Sequence, residues 1–449
     1  MRSHFSISFI VLGLVSLIIG SFIGLLLSIV YIEPDFLEGF LPYNQLRPMH
    51  TTSVVSWIIL ASTGGLYFYL SQVEKIRIRY PFLGKSHLWL FVLTGIAIYW
   101  SYITGNMGGR EYLEYLPILS IPILFGWVLF GINYYSSLHK KIKDWPVFYW
   151  MWGVGILFMI YHLAEAHFWI FTDIRIDYIK DLTIQWKSYG SFVGCWNLLV
   201  YGTAIYIMAK VKGDLNLARD KKVFFFFFLS LANLMFGWAH HTYIIPTQPW
   251  VRYVAYGISM TEWIILLNII FTWVKSLNKL KKIKYRIVYR FLVASELWVF
   301  LNLILALLMS IPAINYYTHG THITVAHSMG TTIGINTMIL LGSITYIVQK
   351  LGFSLSSSSK HIMAGYYLLN GSLLIFWLFL IIGGVCKVVY LMNSSGDSHA
   401  DLHGYSTSIF TVVSLSGGLL LIGLLFITFP LLDRLTMSWI SGFKNNRQS

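Results

Sequence analysis

Long apolar runs separated by short polar stretches recur from one end of the chain to the other. A helix needs roughly 20 residues to cross a hydrocarbon layer ~30 Å thick. Runs of that length lie near residues 5 to 31, 48 to 72, 86 to 105, 116 to 136, 146 to 172, 189 to 209, 223 to 246, 253 to 274, 287 to 312, 322 to 349, 361 to 392 and 405 to 432. The pattern predicts an all-α integral membrane protein of twelve transmembrane helices, with residues 1–449 forming a single membrane domain. The first run has no small-residue cleavage site and exceeds the length of a signal-peptide core, so it is expected to be retained. The wet segments of any size are the loops near 32 to 47, 106 to 115, 173 to 188 and 393 to 404.

Composition agrees with this reading. Of the 449 residues, 57% are hydrophobic and only 11% charged, more apolar surface than a soluble core could bury. Both cysteines, Cys195 and Cys386, fall inside spans, and no Cys-x-x-Cys-His stretch exists to attach a c-type haem. Disulfides are therefore not part of this design.

The net charge of +14 would suit nucleic acid, but its distribution points elsewhere. Sorted by alternate loops, 25 of the 32 Lys and Arg fall on one side: Arg2, the groups at 75 to 85 and 140 to 143, Lys210 to Lys222, Lys275 to Arg290, Lys350, Lys360 and the last three. The other side has Arg47, Arg110, Arg175, Lys180, Lys187, Arg252 and Lys387, among Glu33, Asp35, Glu38, Glu111, Glu114, Asp397 and Asp401. The positive-inside rule then puts both termini in the cytoplasm. The basic excess reads as topology and contact with anionic lipid, not as nucleic-acid binding.

Ionisable side chains at the centre of a span cost ~2.5–3.5 kcal/mol on insertion scales and so mark function. Here the histidines fall at one depth. The second span runs inward and opens with Met49-His50-Thr51; the seventh runs outward and ends in Gly237-Trp238-Ala239-His240-His241; the tenth runs inward from Thr318-His319-Gly320-Thr321-His322 through His327-Ser328-Met329. All three clusters lie in the outer third of the membrane, as a shared metallocofactor site requires. Imidazole is a strong ligand for haem iron, and a Met thioether is the other common axial partner. His50 and Met329 can hold opposite faces of one haem. His327 and Met329, two residues apart, diverge by about 200° on a helix, so one helix can serve two haems. The adjacent pair His240 and His241 suits a non-haem metal facing the second haem.

The run Tyr317-Thr318-His319-Gly320-Thr321-His322-Ile323-Thr324-Val325-Ala326-His327, the Gly237-x-x-His240-His241 pair, Arg47-x-x-His50-Thr51 and the loop Gly109-Arg110-Glu111-Tyr112-Leu113-Glu114 resemble the catalytic large subunit of cytochrome-c-dependent nitric oxide reductases, within the haem-copper oxidase superfamily. The resemblance spans the chain and implies a subunit I type of fold in a bacterial inner membrane. It implies two haems b, with His50 an axial ligand of the low-spin haem and His327 the proximal ligand of the high-spin haem, and a non-haem iron on His240 and His241. It places His319, His322 and Arg110 near the haem propionates, and Glu111 or Glu114 beside a structural calcium. Glu262 matches a glutamate close to the iron; a helix-capping or proton-bearing role is the alternative.

The chain also departs from that family. Where the family has His-Gly-His this chain has His327-Ser328-Met329, which implies His/Met ligation of the low-spin haem unless Met329 only packs. On the sixth span Tyr189 and Val193 stand where the family has a His and a Glu that bind the iron, and Asn197 replaces a second Glu. Tyr189 as a phenolate, Glu262, or His162, Glu165 and His167 of the fifth span are alternative sources of ligands. His162 and Glu165, three apart, share a helix face, and a polar contact between helices is the other reading for them. The expected activity is reduction of NO to nitrous oxide with electrons from a membrane-anchored c-type cytochrome or cupredoxin on the outer side. Protons are expected from that side too, through Glu262. NO dismutation, oxygen reduction, or a haem-bearing electron-transfer subunit without an active non-haem metal are the alternatives that the altered sixth span leaves open.

Overall fold

The protein's computed structural model describes residues 4–139, 141–259, 261–355, 358–393 and 399–446. Asp397, Arg2, Lys140 and Arg447 of the charge count lie outside the described residues, as do the side chains of Asp401 and Lys444. Among the described residues there are twelve helical spans long and apolar enough to cross a membrane: Phe5–Val30, Tyr43–Val73, Pro81–Ile103, Pro117–Ser137, Val147–Ile170, Tyr178–Lys212, Lys221–Thr242, Pro249–Ser276, Arg286–Ser310, His322–Lys350, Ser359–Asn393 and Ser406–Ile440. Each matches one of the twelve apolar runs.

The spans are not equally enclosed. The second, sixth and tenth have 83%, 78% and 89% of their most apolar stretch buried, whereas the third has 22% and faces outward. Helices that are hydrophobic all round belong in the interior of a bundle, and these three carry His50, Tyr189, His327 and Met329. The second and tenth are tied by Trp57 Nε1, which donates to Thr337 Oγ1 at 2.9 Å. The sixth and tenth are tied by Asn336 Nδ2, which donates to Asn197 Oδ1 at 3.1 Å. An unpaired polar group is costly in an apolar interior, so such bonds fix register as well as adding stability.

Contacts between distant segments separate two ends of the bundle. At one end Glu74 accepts from Tyr206 at 2.9 Å and pairs with Lys210 at 2.5 Å, and Arg219 donates to the Asp144 carbonyl at 3.1 Å. At the other, Arg47 meets Glu111 and Glu114, Arg110 meets Asp181, and Tyr31 meets His322 edge-on. The first is the lysine-rich end of the sequence reading and the second the acidic-loop end.

Three local departures from regular α-helix bear on the site. The sixth span starts at Tyr178 instead of near 189, because the Asp177 side chain accepts from Lys180 N and caps a polar first turn that hydrophobicity alone does not register. The seventh ends in a 3-10 turn, Gly237–Thr242, in place of the α-helix expected there. The tenth carries a π-helical stretch, Gly330–Thr337, immediately after Met329. Gly330 and Gly334 lie on one side of that stretch. A Cβ at either would come within 2.6 Å of Asn302 or 2.5 Å of Trp298, so the ninth span approaches here as close as the absent side chains permit.

Candidate functional site

His50 sits on the second span with its ring against Gly24 of the first, where a Cβ would lie 2.7 Å from His50 Cε1. Its Nδ1 is 2.8 Å from the Gly20 carbonyl. A carbonyl can only accept, so Nδ1 carries the proton and Nε2 is left as a lone-pair donor. This is how a protein fixes the tautomer and aim of a metal-binding imidazole. Seven residues below His50, Trp57 is bonded to Thr337, and eight residues above Thr337 is Met329. At about 1.5 Å of rise per residue, His50 and Met329 therefore lie at similar depth on neighbouring, parallel spans. Met329 is half-buried against the core.

His327 is one turn into the tenth span. Its carbonyl accepts from Asn302 Nδ2 at 3.0 Å and from Thr331 Oγ1 at 3.0 Å, while its Nδ1 is buried with no partner. Its ring lies 6.0 Å from Trp263, the neighbour of Glu262. Glu262 is buried; Asn233 Nδ2 donates to its Oε1 at 2.9 Å, and its Oε2 has no partner.

The two adjacent histidines project by the geometry of a 3-10 turn, about 120° apart instead of the 100° of an α-helix. Their rings still converge, with centroids 4.2 Å apart. The helix of the eighth span stops at Ile258, and Ser259, which leaves the helical conformation, turns its hydroxyl to within 3.1 Å of His240 Nδ1. His240 Nε2 is thereby left for another partner. His241 lies flat against Trp186 of the sixth span, centroids 5.0 Å apart and planes inclined by 11°. Trp186 also presents an edge to His319 at 6.2 Å. His319, His327, His240 and His241 thus surround one region at the acidic-loop end, with Trp186 as its lid. Burial keeps the His319 imidazole below its ordinary pKa, against the pull of Glu111, so it is neutral near pH 7.

Tyr189 does not face this region in the same way. Positions 186, 190, 193 and 197 form one stripe of the sixth span, and a Cβ at Gly190 of that stripe would run into Trp238 and come within 3.9 Å of His241 Cδ2. Tyr189 is turned aside, edge-on to Tyr112 at 5.8 Å, its hydroxyl buried without a partner. The fifth-span residues are engaged elsewhere. His162 Nδ1 and Glu165 Oε2 are 2.8 Å apart, Lys187 pairs with the other Glu165 oxygen, and His167 lies between Ser120 and the Leu163 carbonyl. Among the described residues, no group of three or more His, Cys, Asp and Glu is gathered closely enough to hold a metal ion.

The loop after the third span is built around a tight turn in which Gly108 N and Gly109 N both donate to the Glu114 carbonyl at 3.1 Å. Tyr112 takes φ +67° there, a left-handed conformation that costs a residue with a Cβ about 1–2 kcal/mol. Arg110 leaves the turn to pair with Asp181 at 2.5 Å and to cover the Trp169 ring at 5.0 Å. Arg47 reaches both Glu111, at 3.2 Å, and Glu114, at 2.7 Å. Burial raises the Glu114 pKa, and the Arg47 guanidinium pulls it back. His322, beside Tyr31 at 5.4 Å, has a buried Nδ1 without a partner.

A profile of the family of cytochrome c and quinol oxidase polypeptide I matches residues 4–420. The chain belongs to that family. It is 23% identical over 393 residues to a nitric oxide reductase subunit of Stutzerimonas stutzeri, covering 81% of this chain and 80% of that protein. It is 21% identical over 358 residues to cytochrome c oxidase subunit 1 of Rhodobacter capsulatus, 76% of this chain and 66% of that one. A cytochrome c oxidase subunit 1 homolog of Agrobacterium tumefaciens strain T37 is 22% identical, over 74% and 64%. The chain thus spans about two thirds of the oxidase relatives. A heme-copper terminal oxidase dimer solved by cryo-EM shares the fold, with a TM-score of 0.78 and 17% identity over 97% of this chain and 84% of that one.

Subunits of this oxidase family are membrane oxidoreductases that bind haems and a metal. The residues present fit haem binding: His50 has its Nδ1 committed and its Nε2 free, His327 has a buried ring nitrogen without a partner, and His322 has another that could face a propionate. For a non-haem metal the fit is partial: two convergent imidazoles, with no third His, Cys, Asp or Glu assembled among the described residues. Arg47 already pairs with one oxygen of each loop glutamate, and Glu114 Oε2 is left buried without a partner.

Sequence reasoning missed Trp186, Lys187, Ser259 and Asn233 as neighbours of the candidate residues. The only signal was spacing: Trp186 is one turn from Gly190, on the face that must approach the seventh span. Trp186→Leu should weaken metal retention on His240 and His241 by about 10–100-fold, the usual effect of removing a group that orients a ligand. Metal content after dialysis against a graded chelator reads this directly, and unchanged retention would mean that the stack is packing only.

Proposed function

We propose that the chain is the catalytic subunit of a nitric oxide reductase: two NO, two electrons and two protons give nitrous oxide and water. The observation that carries this reading is the His240 and His241 pair converging at the same end as His327, in a chain that covers 80% of the nitric oxide reductase subunit it matches and about two thirds of the oxidase subunits.

On this reading His50 and Met329 would hold the low-spin haem b, His327 the high-spin haem b, and His240 and His241 the non-haem iron. When bound, these groups supply the redox chemistry and the site for NO. The chain supplies geometry. The Gly20 carbonyl and the Ser259 hydroxyl aim the imidazoles, Trp186 fixes the plane of His241 and shields it from water, and Glu262, with its unpartnered Oε2, is the buried carboxyl available to hand on a proton. Arg110, His319 and His322 would face the propionates. Tyr189 would act from outside the His pair, through its buried hydroxyl. The acidic-loop end would be the outer side, with both termini cytoplasmic; electrons would enter there from a membrane-anchored c-type cytochrome or cupredoxin, and protons would follow through Glu262.

A second reading, reduction of oxygen, is favoured by one observation: the sixth span offers Trp186 and Gly190 to the His pair, not an imidazole or a carboxylate. One preparation separates the two. Two haems b and one non-haem iron per chain, with NO consumed and nitrous oxide released, is the expected result. Oxygen consumption without nitrous oxide selects the second reading, and two haems without a third metal reduces the chain to electron transfer.

A further inference from the structure

At the lysine-rich end a cavity of about 560 Å³ opens where the ninth span begins and the tenth ends. Its walls include Lys284, Arg286 and Lys350, the apolar Ile283 and Phe353, and Gln349, whose Oε1 is buried without a partner. No carboxylate among the described residues lines it. Among the described residues none of the three cations forms a salt bridge, and Lys350 is within electrostatic reach of Lys284. The Lys284 and Lys350 ammonium groups are held over the rings of Tyr285 and Tyr346 at 5.5 and 5.2 Å. Like charges gathered without a counterion repel one another, and an anion would relieve that.

Which anion follows from the surroundings. The helix Lys279–Lys284 leading into the cavity alternates Lys with Leu280 and Ile283, which are 77% and 62% exposed. Apolar side chains exposed among lysines at the end of two spans belong at the boundary between headgroups and acyl chains. A free phosphate would use the cations and leave these residues in water; a phospholipid uses both.

We propose that this cavity binds the phosphate headgroup of an anionic phospholipid, with Lys284, Arg286 and Lys350 on the phosphate and Ile283 and Phe353 against the first acyl carbons.

The test uses the haem-loaded protein in detergent, stripped of lipid, titrated with phosphatidylglycerol, phosphatidylcholine or inorganic phosphate while its unfolding midpoint is followed. Phosphatidylglycerol should raise the midpoint, with the other two giving little. Combined Lys284→Gln, Arg286→Gln and Lys350→Gln should shift the half-maximal phosphatidylglycerol concentration up by about tenfold or more, while Lys279→Gln with Lys282→Gln, outside the cavity lining, should not. The haem spectrum reports folding. If the triple variant loses it, retention of phosphatidylglycerol by Lys350→Gln in native mass spectrometry decides instead. Equal affinity in the cavity variant, or full stabilisation by phosphate or phosphatidylcholine alone, overturns the proposal.

Discussion

Alanine at His240 should empty the non-haem metal site and leave both haems in place. The site has two convergent imidazoles, and among the described residues no third His, Cys, Asp or Glu is placed to hold a metal with them, so losing one leaves a single protein nitrogen. A metal held by one imidazole is in rapid exchange with water, and the loss should exceed the 10–100-fold typical of removing a mere orienting partner. Metal analysis of His240→Ala should find well under one non-haem metal per chain, with turnover lost along with it. The haem spectrum should be unchanged, because His50, His327 and Met329 lie on other spans. Ser259→Ala provides the graded control: it keeps the ligand and removes only its orienting hydroxyl, 3.1 Å from His240 Nδ1. Full metal content in His240→Ala would place the metal elsewhere and remove the basis of the proposed activity.

The fold was legible because a membrane simplifies the code. Lipid leaves helices as the way to pair every backbone group in such spans, and span length follows from bilayer thickness, so apolar runs alone predict twelve helices. Depth was legible for the same reason, and it put His50, His240, His241 and His327 at one end. Contacts between spans were not legible. Nothing in the local sequence says that Asp177 caps a polar extension of the sixth span, yet that extension is what brings Trp186 to His241. Nor does it say that the chain from Gly237 tightens into a 3-10 turn, or that the eighth span breaks at Ser259 and frees a hydroxyl for His240. The fifth-span pair shows the limit most plainly. His162 and Glu165 do share a face, as their spacing predicts, but their further partner is Lys187, a residue of the polar extension.

Met329→His should change the low-spin haem without dislodging it. Trp57 bonded to Thr337 fixes the second span against the tenth, and counting back along each helix brings His50 and Met329 to a common depth. The π-helical stretch begins at Gly330, so a wider turn starts directly below Met329 and re-aims what precedes it relative to a regular helix. Thioether ligation raises the potential of a haem relative to bis-imidazole ligation. A near-infrared charge-transfer band of thioether-ligated iron is therefore expected in the native protein and should vanish in Met329→His. The midpoint potential should fall by a sizeable part of the roughly 0.8 V range over which axial ligands tune haems. Met329→Leu, which keeps the volume and removes the sulfur, should instead leave that haem with one protein ligand. A band that survives both substitutions would mean that Met329 only packs, and that another side chain opposes His50. With the sulfur in place, the haem that receives electrons is a stronger acceptor than its bis-imidazole counterpart. A donor at the acidic-loop end could then be correspondingly less reducing and still drive it, so on the proposed reading the same titration sets an upper bound on the donor's potential.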